Sequence, residues 1–402
     1  MTALRSFVAG RWHAPESGRP IFDPSTEEPI AEVSTDGVDF AEVIAHAREV
    51  GGPALRATTF AKRAGMLRAL SKALRAGRDE LLELSRRNGG ATTPDGAFDV
   101  DGGSGTLAYY GNVALGFGER ASLLDGEGIR LWRDDSFHGR HLWVPRRGVA
   151  LAINAFNFPV WGFAEKAACA LAAGVPMIVK PATATALVAQ RAVEMALEAG
   201  VLPEGALQLV CGSTGDLIDR LGPQDVLAFT GSAATAATLR DRGALRRHNT
   251  RVNVEADSLN AAVLAPGVEV ESEVWTTFLK DVVREMRQKT GQKCTAVRRI
   301  LVPRDALDAV SEALEAALAD IVVGDPSEET VTMGPLASAG QLADAEHGVA
   351  ELREVATLVR GGARVDGVGA DPGRGYFFAP TLLRVDDAHA AEVVHEREVF
   401  AP

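Results

Sequence analysis

One cysteine stands in a setting that suits nucleophilic chemistry. Cys294 occurs in the polar, glycine-bearing stretch Lys-Thr-Gly-Gln-Lys-Cys-Thr-Ala, between a predicted helix and a predicted strand at 299–302. A cysteine in such a loop is accessible, and the lysines beside it would favour the thiolate. The other two cysteines, Cys169 and Cys211, lie in an alanine-rich helix and at the end of an apolar strand, where cysteine behaves as a small buried hydrophobe. Cys294 is therefore the candidate nucleophile.

Attack of a thiol on a carbonyl also needs an oxyanion donor and a base, and two polar residues at predicted strand ends suit these tasks. Asn157, in Ala-Phe-Asn-Phe-Pro, follows a strand and precedes a helix, which is where ligands bind in open α/β sheets. Its amide could donate to an oxyanion, although asparagine also favours a helix N-cap. Glu255 ends the strand Arg-Val-Asn-Val-Glu, where a buried carboxylate is costly unless it acts as a base or forms an ion pair.

Two glycine-bearing turns could receive a dinucleotide, although the chain contains no Gly-x-Gly-x-x-Gly. Thr230, Gly231 and Ser232 belong to Phe-Thr-Gly-Ser, between a strand and a helix, and Gly215 closes Gly-Ser-Thr-Gly after another strand. The backbone N–H groups of either turn could approach a pyrophosphate. Each turn is equally compatible with an ordinary connection.

The elements that position these residues alternate in type. Apolar runs predict strands, and the segments between them have helical periodicity and end at glycine. The predicted strands are 148–153, 176–179, 207–210, 226–229 and 251–255, and the predicted helices between them are 159–173, about 185–199 and one beginning near 233. This alternation predicts a parallel sheet covered by helices on both faces. A second α/β unit follows, with helices near 274–290 and 305–319.

The rest of the chain predicts accessory elements. The stretch 7–33 reads as short strands separated by turns, and 60–88 has the apolar spacing of a helix. Two alternating runs between 128 and 147, about a turn at 136–139, predict a protruding hairpin.

Composition bounds the class of protein. The chain has 402 residues, 46% hydrophobic and 24% charged, which predicts a globular protein of two or more domains. Its net charge of −12 argues against nucleic acid and anionic membranes as partners. We expect a cytoplasmic protein, because no apolar run could span a bilayer and the three cysteines are too few for a disulfide framework. The histidines show no metal-ligand spacing, so no metal is expected.

Taken in order, these segments resemble the aldehyde dehydrogenase superfamily over essentially 7–402. No single marker is decisive, but nine in the right order make coincidence implausible. The markers are Ala-Phe-Asn-Phe-Pro (155–159), Val-Lys-Pro-Ala (179–182), Phe-Thr-Gly-Ser (229–232), the strand-end Glu255, Gly-Gln-Lys-Cys (291–294), Gly-Asp-Pro (324–326), Met-Gly-Pro-Leu (333–336), Gly-Tyr-Phe-Phe-Ala-Pro-Thr (375–381) and Glu-Val-Phe-Ala-Pro (398–402).

The resemblance implies an α/β architecture with three parts and a small aldehyde as substrate. A Rossmann-like dinucleotide-binding domain would comprise 1–125 and 147–253, a bridging hairpin for oligomerisation 126–146, and an α/β catalytic domain 254–402. The assembly would be a homodimer or a dimer of dimers. Because the family usually continues past its last marker, the catalytic domain is expected to be truncated at the C-terminus.

The resemblance also implies roles. Cys294 would attack the aldehyde, Asn157 and the Cys294 N–H would hold the oxyanion, and Glu255 would activate the water that releases the acid. Further residues would contact a nicotinamide cofactor. They are Ile153, Phe156, Lys180, Thr183, Gly215, Thr230, Gly231, Ser232, Glu398 and Phe400.

Two departures from the common family pattern narrow the expectation. Leu-Gly-Gly-Lys usually follows the strand-end glutamate, whereas this chain reads Glu-Ala-Asp-Ser-Leu-Asn (255–260). That variant is similar to a branch acting on CoA-linked semialdehydes formed after ring opening in aerobic benzoate and phenylacetate degradation. Thr183 stands where many NAD-preferring relatives have a glutamate. A hydroxyl leaves room for a 2′-phosphate that a carboxylate would repel, so we predict NADP over NAD.

Two other functions stay open from the residues alone. A CoA-acylating dehydrogenase would pass the acyl group to a thiol, but it would not need Glu255 as a base for water. A nucleotide-binding protein without turnover would be compatible with a shortened catalytic domain.

Overall fold

A computed structural model describes residues 2–402, and its elements follow the predicted alternation through the centre of the chain. The strands are β1 (Thr2–Ala3), β2 (Ser6–Val8), β3 (Arg11–His13), β4 (Arg19–Phe22), β5 (Pro29–Val33), β6 (Leu123–Arg130), β7 (His138–Trp143), β8 (Ala150–Ile153), β9 (Met177–Lys180), β10 (Leu207–Leu209), β11 (Val226–Gly231), β12 (Arg251–Ala256), β13 (Asn260–Val263), β14 (Val297–Leu301), β15 (Thr357–Arg360) and β16 (Leu382–Arg384).

Twelve α-helices accompany these strands among the described residues. They are α1 (Phe40–His46), α2 (Gly52–Arg56), α3 (Phe60–Ala76), α4 (Arg78–Gly89), α5 (Thr93–Gly116), α6 (Pro159–Ala172), α7 (Ala186–Glu198), α8 (Ala233–Arg240), α9 (Gly243–His248), α10 (Glu273–Arg287), α11 (Leu307–Ala319) and α12 (Ala339–Leu352). The structure also has a π-helical turn at Ala47–Gly51. Short 3₁₀ turns occur at Thr183–Thr185, Leu217–Arg220, Gln288–Gly291, Arg304–Ala306 and Glu392–His395.

The largest sheet has seven strands in the order β12-β11-β8-β9-β10-β2-β3. The five strands from β12 to β10 are parallel, and β2 and β3 extend the sheet in antiparallel fashion. One apolar core lies between this sheet and the helices α3, α5, α6 and α7, and a second core joins it to α1, α8 and α9. The predicted parallel sheet with helices on both faces is confirmed.

The chain beyond β12 forms a second α/β unit. Strands β13 and β14 pair in parallel, β15 and β16 pair antiparallel, and α10 and α11 pack on them around a separate apolar core. The domain boundaries inferred from the resemblance stay a prediction, because the strand pairing does not by itself divide the chain.

Two predicted helices differ in extent from the observed ones. The helix predicted over 60–88 is two helices, which meet at Gly77, where a Cβ would lie 2.2 Å from the Met195 side chain. The helix predicted over 274–290 ends at Arg287, because Lys289 and Thr290 adopt left-handed conformations with φ of 54° and 55°. The residues just before Cys294 thus form a short turn with a left-handed backbone and do not continue the α-helix.

Helix α5 has no counterpart in the predictions. It contains six glycines among its 24 residues, and glycine disfavours helices by about 1 kcal/mol relative to alanine. The glycines allow close packing on α6: a Cβ at Gly102 would lie 2.3 Å from the Trp161 ring, and one at Gly103 3.1 Å from the Trp161 backbone. Close contact between two helices therefore overrides the local propensity.

The predicted hairpin is formed by β6 and β7, which pair antiparallel. Its turn is the longer loop 131–137 and not a tight turn at 136–139, so that detail of the prediction is wrong. Large apolar side chains on the hairpin are exposed, with Trp132 at 61% and Trp143 at 64%. Within residues 2–402, no helix is long and apolar enough to cross a membrane.

Candidate active site

The polar residues singled out in the sequence meet at one edge of the main sheet. β8, β9, β11 and β12 are parallel, so their carboxyl ends lie side by side. Thr230 on β11 is paired in register with Glu255 on β12, and Ile153 on β8 with Lys180 on β9. Asn157 follows β8 by four residues and lies just before α6.

The Asn157 side chain is fastened to the loop that carries the cysteine. Its Nδ2 atom donates a hydrogen bond to the backbone carbonyl of Gln292 at 3.0 Å, and the residue is only 9% exposed. The Gln292 side chain is fixed in turn, because its Oε1 accepts from the backbone N–H of Ala337 at 3.0 Å. Asn157 therefore lies against the backbone two residues before Cys294, and its amide has a second hydrogen that could bind a substrate oxygen.

The N-cap alternative for Asn157 is wrong, because a different side chain caps α6. Asp99, from α5, accepts the backbone N–H groups of Val160 at 3.1 Å and Trp161 at 2.8 Å. This carboxylate is fully buried beneath the segment that carries Asn157. Nothing in the sequence around Asp99 indicated this role, because the contact spans 61 residues of chain.

A partly buried lysine accompanies Asp99. The Lys289 ammonium lies 4.5 Å from the centre of the Phe158 ring, in the position of a cation–π contact. Burial raises the pKa of Asp99 and the field of Lys289 opposes that rise. Burial lowers the pKa of Lys289, and Asp99 opposes that change. The two charges thus stabilise each other across the segments that hold Asn157 and Cys294.

The surroundings of Cys294 correct one expectation. Lys293 turns away from the thiol, since its Nζ contacts Glu285 at 2.7 Å and Gln288 at 2.6 Å. Burial raises the pKa of the Cys294 thiol, the negative charge of Glu255 raises it further, and the backbone N–H of Cys294 lowers it. The expectation that nearby lysines favour the thiolate is therefore wrong. The thiol faces carboxylates and needs a proton acceptor to react.

Among the carboxylates around the thiol, Glu255 raises the pKa of Cys294 most, and its own side chain makes few close contacts. Its side chain is 52% exposed, and its Oε2 lies 3.6 Å from the Lys166 ammonium and 3.4 Å from the Thr230 hydroxyl. Lys166 also contacts the neighbouring Glu165 carboxylate. Lys166 and Glu165 were missed in the sequence, where they stand on α6 without a motif around them.

Segments far apart in the sequence meet beside the thiol. The rings of Phe156 and Phe400 pack edge to face with centres 5.8 Å apart. Arg298 lies 5.3 Å from the Phe400 ring and 3.5 Å from the Glu398 carboxylate. Burial raises the pKa of Glu398, while Arg298 and the Ser258 backbone N–H oppose that change. The structure thus brings Phe156, Glu398 and Phe400 together, and their cofactor roles stay predictions.

The other proposed cofactor residues lie along the same sheet edge. Burial lowers the pKa of Lys180, which ends β9, and Thr183 opens the 3₁₀ turn that follows. Gly215 has a φ of 45°, and a Cβ there would lie 2.5 Å from the Phe40 ring, so only glycine suits this turn. The cofactor roles of Ile153, Lys180, Thr183 and Gly215 stay predictions.

The turn at Thr230–Ser232 already has partners for part of its backbone. Ser232 caps α8 by accepting the N–H of Thr235 at 3.2 Å. Asp257, which adopts a left-handed conformation with φ of 45°, accepts the N–H of Ala233 at 2.9 Å. Two N–H groups of the first turn are therefore bound by side chains of the protein, and a pyrophosphate contact at this turn stays a prediction.

Asn154, at the end of β8, is an unusual buried amide. It is 5% exposed, and neither its Nδ2 nor its Oδ1 has a hydrogen-bond partner within the described chain. It packs beneath Gly162 of α6, where a Cβ would lie 3.6 Å from the Asn154 side chain. An unsatisfied buried amide costs about 1–3 kcal/mol of stability.

Known proteins share this arrangement of elements. The sequence profile of the aldehyde dehydrogenase family matches residues 12–402. A 3,4-dehydroadipyl-CoA semialdehyde dehydrogenase from Aromatoleum evansii is 44% identical over 401 residues, which cover 99% of this chain and 78% of that protein. A glutarate-semialdehyde dehydrogenase from Pseudomonas putida is 29% identical, with 99% and 78% covered.

A solved structure agrees with the fold. Betaine aldehyde dehydrogenase from Staphylococcus aureus superposes with a TM-score of 0.87 at 24% identity, over 100% of this chain and 77% of that one. The family profile covers nearly the whole chain, and one relative far exceeds the identity expected by chance. The chain is a member of the aldehyde dehydrogenase family, an oxidoreductase that acts on aldehydes through a nicotinamide cofactor.

Proposed function

We propose that the chain oxidises an aldehyde carried on a CoA thioester to the carboxylic acid, with NADP as the hydride acceptor. The observation that carries this proposal is that the Asn157 amide is bonded to the loop that carries Cys294, while Glu255 is the carboxylate whose charge most strongly raises the pKa of the Cys294 thiol. A nucleophile, an oxyanion donor and a base within one site are the groups that hydrolytic aldehyde oxidation needs.

The side chains suggest a sequence of steps. The Cys294 sulfur attacks the aldehyde carbon, and its proton passes to Glu255, the carboxylate whose charge reaches the thiol most strongly. The Asn157 amide keeps its bond to the Gln292 carbonyl through one hydrogen. Its second hydrogen donates, together with the Cys294 N–H, to the new oxyanion. The bound cofactor supplies the nicotinamide carbon that accepts the hydride. Glu255 releases the thiol proton to solvent and then takes a proton from water, whose hydroxyl adds to the thioester carbon. The carbon–sulfur bond breaks to free the carboxylic acid, and Glu255 returns its proton to the cysteine sulfur.

The residues present fit a dinucleotide. The Phe156–Phe400 ring pair offers an apolar wall, and the Glu398 carboxylate, which burial makes a strong acceptor, suits a ribose hydroxyl. Burial lowers the pKa of Lys180 because it disfavours the charged ammonium, and an anionic or hydroxyl partner on the cofactor would oppose that change. The preference for NADP rests on Thr183, which leaves room for a 2′-phosphate beside Lys180. One relative, the E. coli succinate-semialdehyde dehydrogenase, is named as NADP-dependent and is 27% identical.

The CoA-linked substrate rests on similarity and on the base. The relative at 44% identity is named for a CoA-linked semialdehyde. Glu255 supports release of a free acid, since transfer of the acyl group to a thiol requires no base for water.

A substrate panel tests this function. Free and CoA-linked semialdehydes are compared with NAD and NADP, and the products are separated by mass. We expect the highest kcat/KM with a CoA-linked semialdehyde, a free acid as the product, and no turnover in Cys294→Ala. A new thioester would replace the hydrolytic proposal with the CoA-acylating one. Equal kcat/KM for free and CoA-linked aldehydes would remove the substrate assignment.

The cofactor preference has its own variant. Thr183→Glu places a carboxylate where a 2′-phosphate would lie, so the affinity for NADP should fall while that for NAD is retained. Titration of each dinucleotide by protein fluorescence measures this without turnover. Unchanged affinity for NADP would show that Thr183 does not face the 2′ position.

We also propose that the hairpin of β6 and β7 mediates self-association. Its exposed apolar side chains, Trp132 and Trp143 among them, support a contact with a second copy. Light scattering of Trp143→Ser against the wild type is the test, and an unchanged mass would exclude the hairpin as the principal contact.

A further inference from the structure

The segment Asp257-Ser258-Leu259-Asn260, which departs from the Gly-Gly-Lys of the common family pattern, joins three parts of the site. Asp257 binds the first turn of α8 through the Ala233 N–H. The Leu259 carbonyl accepts from the Arg299 guanidinium at 3.1 Å. The other two side chains reach the backbone of the cysteine itself. Asp257 and Ser258, which stand where the common pattern has two glycines, bind through side chains that glycines could not supply, whereas Leu259 binds through its backbone.

Asn260 holds the cysteine loop at two points. Its Nδ2 donates to the backbone carbonyl of Cys294 at 2.7 Å and to that of Ala296 at 3.0 Å. A side-chain amide has two hydrogens, so both bonds can exist together. The peptide plane after Cys294 is thereby fixed on the first residue of β13.

Ser258 contacts both the cysteine loop and Glu398. Its backbone N–H donates to Glu398 Oε2 at 3.2 Å. Its hydroxyl donates to the Cys294 carbonyl and also lies 3.5 Å from Glu398 Oε1. A hydroxyl has one hydrogen, so the carbonyl and the carboxylate compete for it. When Glu398 turns to another partner, the hydrogen is left to the Cys294 carbonyl.

We propose that Ser258 is a positioning residue that couples the hydrogen-bond partner of the Glu398 carboxylate to the position of the Cys294 thiol. The inference rests on the proposed function, in which Cys294 is the nucleophile and Glu398 accepts a ribose hydroxyl. Engagement of Glu398 by the cofactor leaves the Ser258 hydroxyl wholly to the Cys294 carbonyl. The cysteine loop is then held most firmly when the hydride acceptor is bound.

Two variants and a matched control test the first half of the proposal. Ser258→Ala and Ser258→Gly both remove the hydroxyl, and Ser338→Ala removes another serine hydrogen bond of the same unit, at the N-cap of α12. In the free enzyme we expect Cys294 alkylation by iodoacetamide near neutral pH to be several-fold faster in both Ser258 variants, because a looser loop exposes the thiol. The burst of reduced cofactor should be on the order of tenfold slower.

Faster alkylation together with slower hydride transfer distinguishes a positioning role from a general loss of stability. Ser338→Ala should lower stability while leaving both the alkylation rate and the burst rate unchanged. Wild-type rates of alkylation and burst in both Ser258 variants would overturn the proposal. Loss of the burst in Cys294→Ala is the separate test of the proposed function, so the two failures are distinguishable.

The coupling is tested by combining variants. If Glu398 acts on the cysteine loop through the Ser258 hydroxyl, Glu398→Ala should slow Cys294 alkylation in the free enzyme, and this slowing should be absent in the Ser258→Ala background. The KM for the aldehyde should change less than twofold in Ser258→Ala, because the hydroxyl is not proposed to touch the substrate. The same slowing in both backgrounds would show that Glu398 acts independently of Ser258 and would overturn the coupling.

Discussion

The two groups proposed to work with the Cys294 thiol are held differently. Asn157 is almost fully buried, bonded to the Gln292 carbonyl, and followed by a helix whose first N–H groups bind Asp99. Glu255 is half exposed, with its closest cation 3.6 Å away. An oxyanion donor works best when it is already in place, because no reorganisation is then needed as charge develops.

A base that first accepts a proton from a thiol and later from a water has to serve two positions. The loose contacts of Glu255 leave its side chain free to do so. The contrast between a fixed donor and a movable base can be tested on each side in turn.

The largest effect is expected on the movable side. Glu255→Gln keeps the shape of the side chain and removes its capacity to accept a proton, so steady-state turnover should fall by about 10²- to 10⁴-fold. The burst of reduced cofactor should also fall, because Glu255 accepts the thiol proton, but it should fall less than turnover, because water activation follows hydride transfer. Stopped-flow absorbance against steady-state rates measures both. An equal loss in burst and turnover would mean that Glu255 acts mainly before hydride transfer.

A smaller effect is expected from the fixed side. Asn157→Ala removes an oxyanion donor, and the burst and turnover should fall together by about 10²- to 10³-fold. Alkylation of Cys294 forms no oxyanion, so its rate should change little and serves as the internal control. If the burst keeps its wild-type rate, the oxyanion is held elsewhere.

The support beneath Asn157 should matter less than the residue itself. Asp99→Asn weakens the acceptor that caps α6 and removes the charge that opposes Lys289, and we expect an unfolding free energy lower by about 1–3 kcal/mol, with a burst about tenfold slower. Adding Lys289→Met should recover part of the stability, since the uncompensated charge is then gone. Denaturant unfolding of the single and double variants measures this. Additive losses would show that the two charges are independent.

The smallest effect concerns the titration of the thiol. Burial and then Glu255 raise the pKa of Cys294, so alkylation should increase as the pH rises through that elevated pKa. Glu255→Gln removes a negative charge and should move the alkylation profile to lower pH. Glu165→Gln is the matched control and should move it less, because the Glu165 charge acts more weakly on the thiol. A shift to higher pH in Glu255→Gln would contradict the charge assignment.

The sequence predicts best what depends on local pattern. Strands and helices around the main sheet follow from apolar runs that end at glycine, and the polar residues just after those runs, Asn157 and Glu255, necessarily meet at one sheet edge. Cys294 could be selected from three cysteines because its neighbours are polar. The expectation that the other two are buried is right for Cys211 and wrong for Cys169, which is exposed. These inferences use only the residues within a few positions of each side chain.

The parts that could not be predicted depend on contacts between distant segments. Asp99 caps a helix 61 residues away, and the Ser258 bond to Glu398 spans 140 residues. The glycines of α5 predict a loop, because the sequence does not reveal the packing of Trp161 against Gly102 and Gly103. The direction of Lys293 is likewise set by Glu285 on α10, which no spacing beside Cys294 reveals.

The unpartnered amide of Asn154 has a consequence for how this enzyme could evolve. A buried group without partners marks a position where the fold is less stable than its sequence would allow, and such positions are common beside sites under functional selection. Asn154→Val should raise the thermal midpoint, by about 1 kcal/mol of unfolding free energy, since it removes the unsatisfied group. Selection for heat tolerance alone should therefore replace Asn154 early. If Asn154 is retained when turnover is selected as well, the stability that it costs is needed for activity.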